Sequence, residues 1–277
     1  MFKLRRRDSL IPNYTVLTLY LIFALVPLFI LSFNAVKSRV ELANNPLGPP
    51  KTIHLENFTI AWKQGKFYIT ARNSAILVVC TVASVLTLAG MASYSLARLK
   101  PPGSDLFMVF VVIGSTLPIW LFMVPLFILW RKLGLINSLL GLIMIYTALN
   151  APFAIFLLRS FMVQMPADFE DAARVDGANS MQILTKVVLP LVWPGFLTVG
   201  LVVGMGVWGE FQIALIFITQ PEYYPVTTSY WQFTSQFSRD WTLTSAAALM
   251  MIAPVLALFL GLQRRFIEGL TQGGLRM

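Results

Sequence analysis

Six long apolar runs alternate with short polar stretches along the chain. They cover Tyr14–Phe33, Asn73–Leu96, Phe107–Trp130, Leu139–Phe161, Leu191–Thr219 and Leu243–Phe266. Each is about 20 residues or longer, enough to cross a hydrocarbon core ~30 Å thick. Lipid offers no partner to a free backbone N–H or C=O, so each crossing segment is predicted to be helical. The pattern predicts an all-α, polytopic membrane protein with six transmembrane helices. The expected order is a basic tail over 1–13, a first span over 14–36 and an external loop over 37–72. Five spans follow over 73–266, then a polar tail over 267–277.

Composition supports the same class. Of 277 residues, 57% are hydrophobic and 12% charged, with a mean hydropathy of +0.73. Soluble domains carry about 25% charged residues. A net charge of +9 would suggest nucleic acid in a soluble chain. Here it fits the Lys/Arg bias at the ends of membrane helices, and no nucleic-acid partner is expected. Lys3, Arg5, Arg6 and Arg7 precede the first run, which is long for a cleaved signal and lacks a small-x-small exit. It therefore reads as an uncleaved span with a cytoplasmic N-terminus. An even number of spans returns the C-terminus, with Arg264, Arg265 and Arg276, to that side. Lys37, Arg39, Lys51, Lys63, Lys66 and Arg72 in the external loop run against the rule. Cys80 reads as a small packed hydrophobe. His54 stands alone in a polar loop, so no His/Cys metal cluster can be composed.

The most polar stretch in the second half is "EDAARVDGANSMQILTKVVLP", Glu170–Pro190. Pro166 can open a helix, because its missing N–H needs no partner there. Asp168, Glu170 and Asp171 fall in the first turn, where the helix dipole favours negative charge. Glu170 and Arg174 stand at i, i+4 in the favourable order. Phe169, Ala172, Ala173 and Asp176 share one face, and two alanines on it let another surface approach closely. Gly177 suits a left-handed helix end. Asn179 and Gln182 are spaced as a capping box that opens a second short helix running to Leu189, and Pro190 leads into the fifth run. The stretch is either a helix–Gly turn–helix with a docking face or a connector between two spans.

These residues resemble the EAA loop of ABC-importer permeases, whose pattern is Glu-Ala-Ala, three residues, Gly, nine residues, Ile-x-Leu-Pro. Glu170, Ala172, Ala173, Asp176, Gly177, Ala178, Leu189 and Pro190 fit the sugar-importer form. Asp171 stands where Glu or Lys is usual, and Val187 lies near the Ile position. "LENFTIAW", "ARNSAILVV", "SYSLARLKPPG", "LGLINSLLGLI", "VWGEFQIAL" and "LQRRFIEGLTQGGLRM" extend the likeness over nearly the whole chain, with Gly209 in place of Asn. The group most similar is the maltose-importer-like carbohydrate permeases. The resemblance implies an inner-membrane permease that is not itself an enzyme. It implies a cytoplasmic coupling helix in the loop 165–190, with Glu170, Asp171, Ala172, Ala173, Asp176 and Gly177 contacting an ATPase. It also implies a second, larger permease, two ATP-binding subunits that hold ATP and Mg, and an external solute-binding protein.

Glu210 lies in or at the end of the fifth run, flanked by Trp208 and Phe211 with Gln212 beside it. A carboxylate in a span costs on the order of 3 kcal/mol and faces protein or water. Trp208, Glu210, Phe211 and Gln212 are candidates for the substrate path; the alternative is a hydrated or paired architectural acid. Tyr223, Tyr224, Tyr230 and Trp231 offer aromatic surface for a sugar, or an interfacial belt. The solute could also be glycerol phosphate or another polar molecule. A secondary transporter would need more acids or bases in the spans, and usually repeats with broken helices. A membrane enzyme would need a clustered acid, base or metal constellation.

Overall fold

A computed structural model describes residues 11–237 and 240–274, and every regular element among them is helical. In chain order these are α1 (Ile11–Ala35), α2 (Arg39–Asn44), α3 (Glu56–Gln64), α4 (Phe67–Tyr94), α5 (Ser104–Thr116), α6 (Met123–Lys132) and α7 (Leu139–Gln164). Then come α8 (Asp168–Val175), α9 (Ser180–Ile183), α10 (Leu189–Leu191), α11 (Trp193–Gly209), α12 (Gln212–Phe217), α13 (Val226–Gln236) and α14 (Trp241–Gly274). The basic tail over 3–7 and Arg276 lie outside the described residues. Gly269 does not interrupt α14, so most of the expected polar tail is helical backbone.

Among the described residues four helices are long and apolar enough to cross a membrane unaided: 13–35, 67–99, 139–164 and 241–263. Counting each sharply bent pair as one span raises the number to six. The two bends interrupt the third and fifth apolar runs. The run expected over Phe107–Trp130 turns by 87° between Thr116 and Ile119. Leu117 is extended there, with ψ 123°, because Pro118 disfavours helical geometry in the residue before it. The second bend, 79°, falls at Val192. Pro194 has no N–H to give to the carbonyl of Pro190 and its ring crowds that carbonyl, so α11 starts on a new axis. At 17 residues α11 is ~25 Å long. It stops at Gly209, so the fifth run is not one helix to Thr219.

The chain divides into two compact units, Met1–Phe67 with Tyr230–Ala253, and Tyr68–Ser229 with Pro254–Met277. The second contains the main core. There α7 supplies Leu142, Ile145, Leu158 and Met162, and α4 supplies Leu77, Val85 and Ala89. Val199 and Val203 of α11 pack with them, as do Ile183 and Val188 of the polar stretch. Gly195 has no room for a side chain: a Cβ would fall 2.7 Å from the Phe161 ring, so its absence lets α11 close on α7. The first unit is smaller. Its α1 has no buried residue across its membrane window and is apolar on all sides, as lipid requires of a peripheral span. Phe67, Phe233 and Phe237 form a short aromatic column in it. Asp240 caps α14 through Thr242 and Leu243 and meets Arg39. Cys80 is exposed on α4 rather than packed.

Candidate functional site

The polar stretch folds as its residues suggest. Asp168, Glu170 and Asp171 open α8, and Gly177 adopts φ +82° just past its end. Asn179 accepts from the Gln182 N–H and the Gln182 side chain accepts from the Asn179 N–H, both at 2.9 Å, which completes the capping box. Beyond Ile183 the backbone widens into a π-helical turn, Leu184–Val188, before α10. A second π-helical turn, Ser95–Leu99, ends α4.

Glu170 is the anchor of this region. It is 2% exposed, while its neighbours Asp168, Phe169 and Asp171 stand in the open. Its Oε1 lies 2.9 Å from Nε of Arg98, which comes from the turn after α4. The Nε–H is not aligned on the carboxylate, so charge rather than a well-directed hydrogen bond holds this contact. The expected i, i+4 partner, Arg174, lies at 3.4 Å and also meets Asp171 at 2.9 Å. Arg98 donates through Nη2 to the carbonyl of Met165, the residue that caps α7. One guanidinium thus ties together the ends of α4 and α7 and the start of α8. Removing one partner of a buried pair costs about 3–5 kcal/mol, because the other charge is stranded.

The face set differs by a small rotation from the expected one. Ala173 is half-buried and packs on the core. Phe169, Ala172, Val175 and Asp176 are exposed, Val175 at 88%. The exposed side of α8 is therefore two large apolar side chains around a small one, with acids at both ends. Arg98 was not singled out from the sequence. It closes an apolar run far upstream, and no local spacing pairs it with Glu170.

Trp208, Glu210, Phe211 and Gln212 do not converge on one site. Glu210 breaks the helix. Its Oε1 accepts the Ile213 N–H at 2.7 Å, and its Oε2 accepts the Ala214 N–H at 3.0 Å and the Tyr146 hydroxyl at 2.6 Å. The carboxylate caps α12 and ties it to α7, while the Glu210 carbonyl accepts from Thr227. Trp208 lines an apolar groove of about 490 Å³ with Val78, Val82, Gly204 and Met205. Phe211 is half-buried and Gln212 is exposed. Tyr224, one of the candidate aromatics, is buried and donates to the Thr219 carbonyl.

This arrangement of apolar spans and a helix anchored at one polar end has known counterparts. Residues 86–272 match the family described as binding-protein-dependent transport system inner membrane component. The chain belongs to this family. It is 32% identical over 260 residues to a sulfoquinovosyl glycerol transport system permease protein of Agrobacterium fabrum, covering 94% of this chain and 91% of that one. It is 31% identical over 269 residues to a diacetylchitobiose uptake system permease protein of Streptomyces coelicolor, covering 95% and 88%. Among solved structures, a bacterial ABC transporter involved in import of the acidic polysaccharide alginate superposes with a TM-score of 0.83 at 24% identity, covering 96% of this chain and all of that one. The protein is thus a membrane-integral permease of a binding-protein-dependent importer, and the family is one of transport components rather than enzymes.

Proposed function

We propose that this permease serves an importer of sugars or oligosaccharides, with α8 as the helix that couples it to an ATPase. The coupling reading rests on one observation: α8 presents Phe169, Ala172 and Val175 outward while its first turn is fixed to the rest of the unit through buried Glu170. A helix meant only to join two spans has no use for exposed apolar side chains held on a rigid base. Asp171, Ala173, Asp176 and Gly177 shape this helix and its turn. ATP and Mg belong to two ATP-binding subunits, and a second, larger permease and an external solute-binding protein complete the assembly. Both termini then lie in the cytoplasm.

The sugar reading is supported by the relatives, whose names specify sulfoquinovosyl glycerol, diacetylchitobiose and, in a Halalkalibacterium halodurans protein 29% identical, arabinooligosaccharides. Residues of this chain do not single out the solute. A thermal-shift screen of the importer's cognate solute-binding protein tests the class, since a bound ligand raises apparent stability by mass action. Stabilisation by a mono- or oligosaccharide is expected. Stabilisation by glycerol phosphate or an amino acid alone overturns the sugar reading and leaves the coupling reading intact.

A further inference from the structure

The chain leads from α8 back through residues 165–167 into α7, and forward through the Gly177 turn, α9 and the π-helical turn Leu184–Val188 into α11. It reaches α4 only by way of many intervening residues. Yet the first turn of α8 is in direct contact with the end of α4, through Arg98 and Glu170. Both are shielded from solvent, with side-chain exposures of 13% and 3%. Arg98 is a poor choice for simple packing. It sits in a π-helical turn that ends at Lys100, a non-glycine residue with φ +46°, so the chain adopts unfavourable local geometry there. π-Turns inside helices recur at functional positions. Here one lies on the forward path from α8 to α11 and the other holds Arg98 at the end of α4.

We propose that Arg98 is a positioning residue that carries displacement of α8 into α4, so that α4 and α11 move together when the ATPase closes. This rests on the coupling reading of α8. A guanidinium held by charge to Glu170 and by a hydrogen bond to the Met165 carbonyl keeps its grip through small shifts, since five N–H groups can re-pair. Arg174 cannot substitute, because it rides on α8 itself. Without Arg98 the motion of α8 passes into the spans through its chain connections to α7 and α11.

The chain provides its own reporter. Cys80 is its single cysteine and lies exposed on α4. A matching site on α11 is Gly206→Cys in a Cys80→Ser background, because a side chain at Gly206 meets nothing within 4 Å. Each is labelled with bimane in the full importer, assembled with cysteine-free partner subunits in nanodiscs. The emission shift between the nucleotide-free complex and the complex trapped with MgATP and vanadate is then read. In the otherwise native chain both labels shift. In Arg98→Met the Cys80 shift falls at least about threefold while the Gly206→Cys shift persists, because the ion pair from α8 to the end of α4 is lost whereas α8 stays joined to α11 through the chain. Glu170→Gln, nearly isosteric, gives the same split should Arg98→Met fail to accumulate. Arg98→Glu combined with Glu170→Arg restores the Cys80 shift. Unchanged shifts at both labels in Arg98→Met overturn the proposal. So does an equal loss at both, which makes Arg98 part of the docking base. If neither label shifts in the native chain, the coupling reading itself falls.

Discussion

Two glutamates in this permease meet very different needs with the same chemistry. Glu170 sits buried between arginines from two elements, and Glu210 accepts three hydrogen bonds at a helix break. Glu210→Ala leaves two N–H groups and the Tyr146 hydroxyl without their charged acceptor. Hydrogen bonds to charged groups contribute about 1.5–3 kcal/mol each, and unpaired buried donors add to the loss. Glu210→Ala is therefore expected to destabilise the detergent-solubilised protein by roughly 3 kcal/mol, with a lowered melting midpoint; an unchanged midpoint rejects the capping role. Gly177 is a backbone case. A Cβ there meets nothing within 4 Å, so the cost of Gly177→Ala is conformational alone, about 1–2 kcal/mol. Gly177→Pro cannot adopt φ +82°, because the ring holds φ near −65°. Loss of ATPase co-purification is expected for the proline and retention for the alanine.

At the scale of elements, α8 is read by its outward side. Ala172 is the clean probe, since Ala173 leans on the core and a large residue there disturbs packing as well as docking. Ala172→Trp is expected to abolish co-purification of the ATPase subunits while the permease accumulates and melts normally. Co-purification at wild-type levels rejects the docking face. The segment from α2 to α3 offers a pH test. The Glu41 carboxyl is held below its ordinary value of 4.5, first by the Lys51 N–H and further by Thr52, against a smaller desolvation effect. Its folded-state pKa is depressed, so its contribution is present above pH 4.5 and is lost as pH falls through the folded value. Exchange of the Lys51 amide, corrected for the intrinsic rate, is expected to rise on acidification through that window. In Glu41→Gln this extra pH dependence disappears; if it persists, Glu41 does not clamp the segment.

At the scale of the molecule, the number of crossings decides the topology. Six crossings place both termini on one side, whereas a re-entrant pair changes the parity. Impermeant thiol reagents applied to single cysteines in the Lys100–Gly103 and Gly134–Ser138 turns are expected to label opposite faces. Labelling from the same face makes the bent pair α5–α6 a re-entrant loop and removes a span. Lys100, Gly103, Gly134 and Asn137 all have positive φ, so both connections are tight and local.

Much of this was legible in the chain. Hydrophobic run length fixed the class, because lipid leaves a helix as the one way to satisfy its backbone. The capping box at Asn179, the acids opening α8 and the left-handed Gly177 were readable too, since caps and turns depend on residues within a few positions of each other. Apolar content alone does not give the bends in the third and fifth runs; Pro118 and Pro194 set them through the backbone geometry that proline excludes. The tertiary structure alone decided what is joined across distance. Arg98 reaches Glu170, Tyr146 reaches Glu210, and Ala173 turns inward while Ala172 faces out. The physical reason is one of range: periodicity and capping act within a turn or two of helix, whereas the partner of a buried charge is chosen by packing elements far apart in the chain.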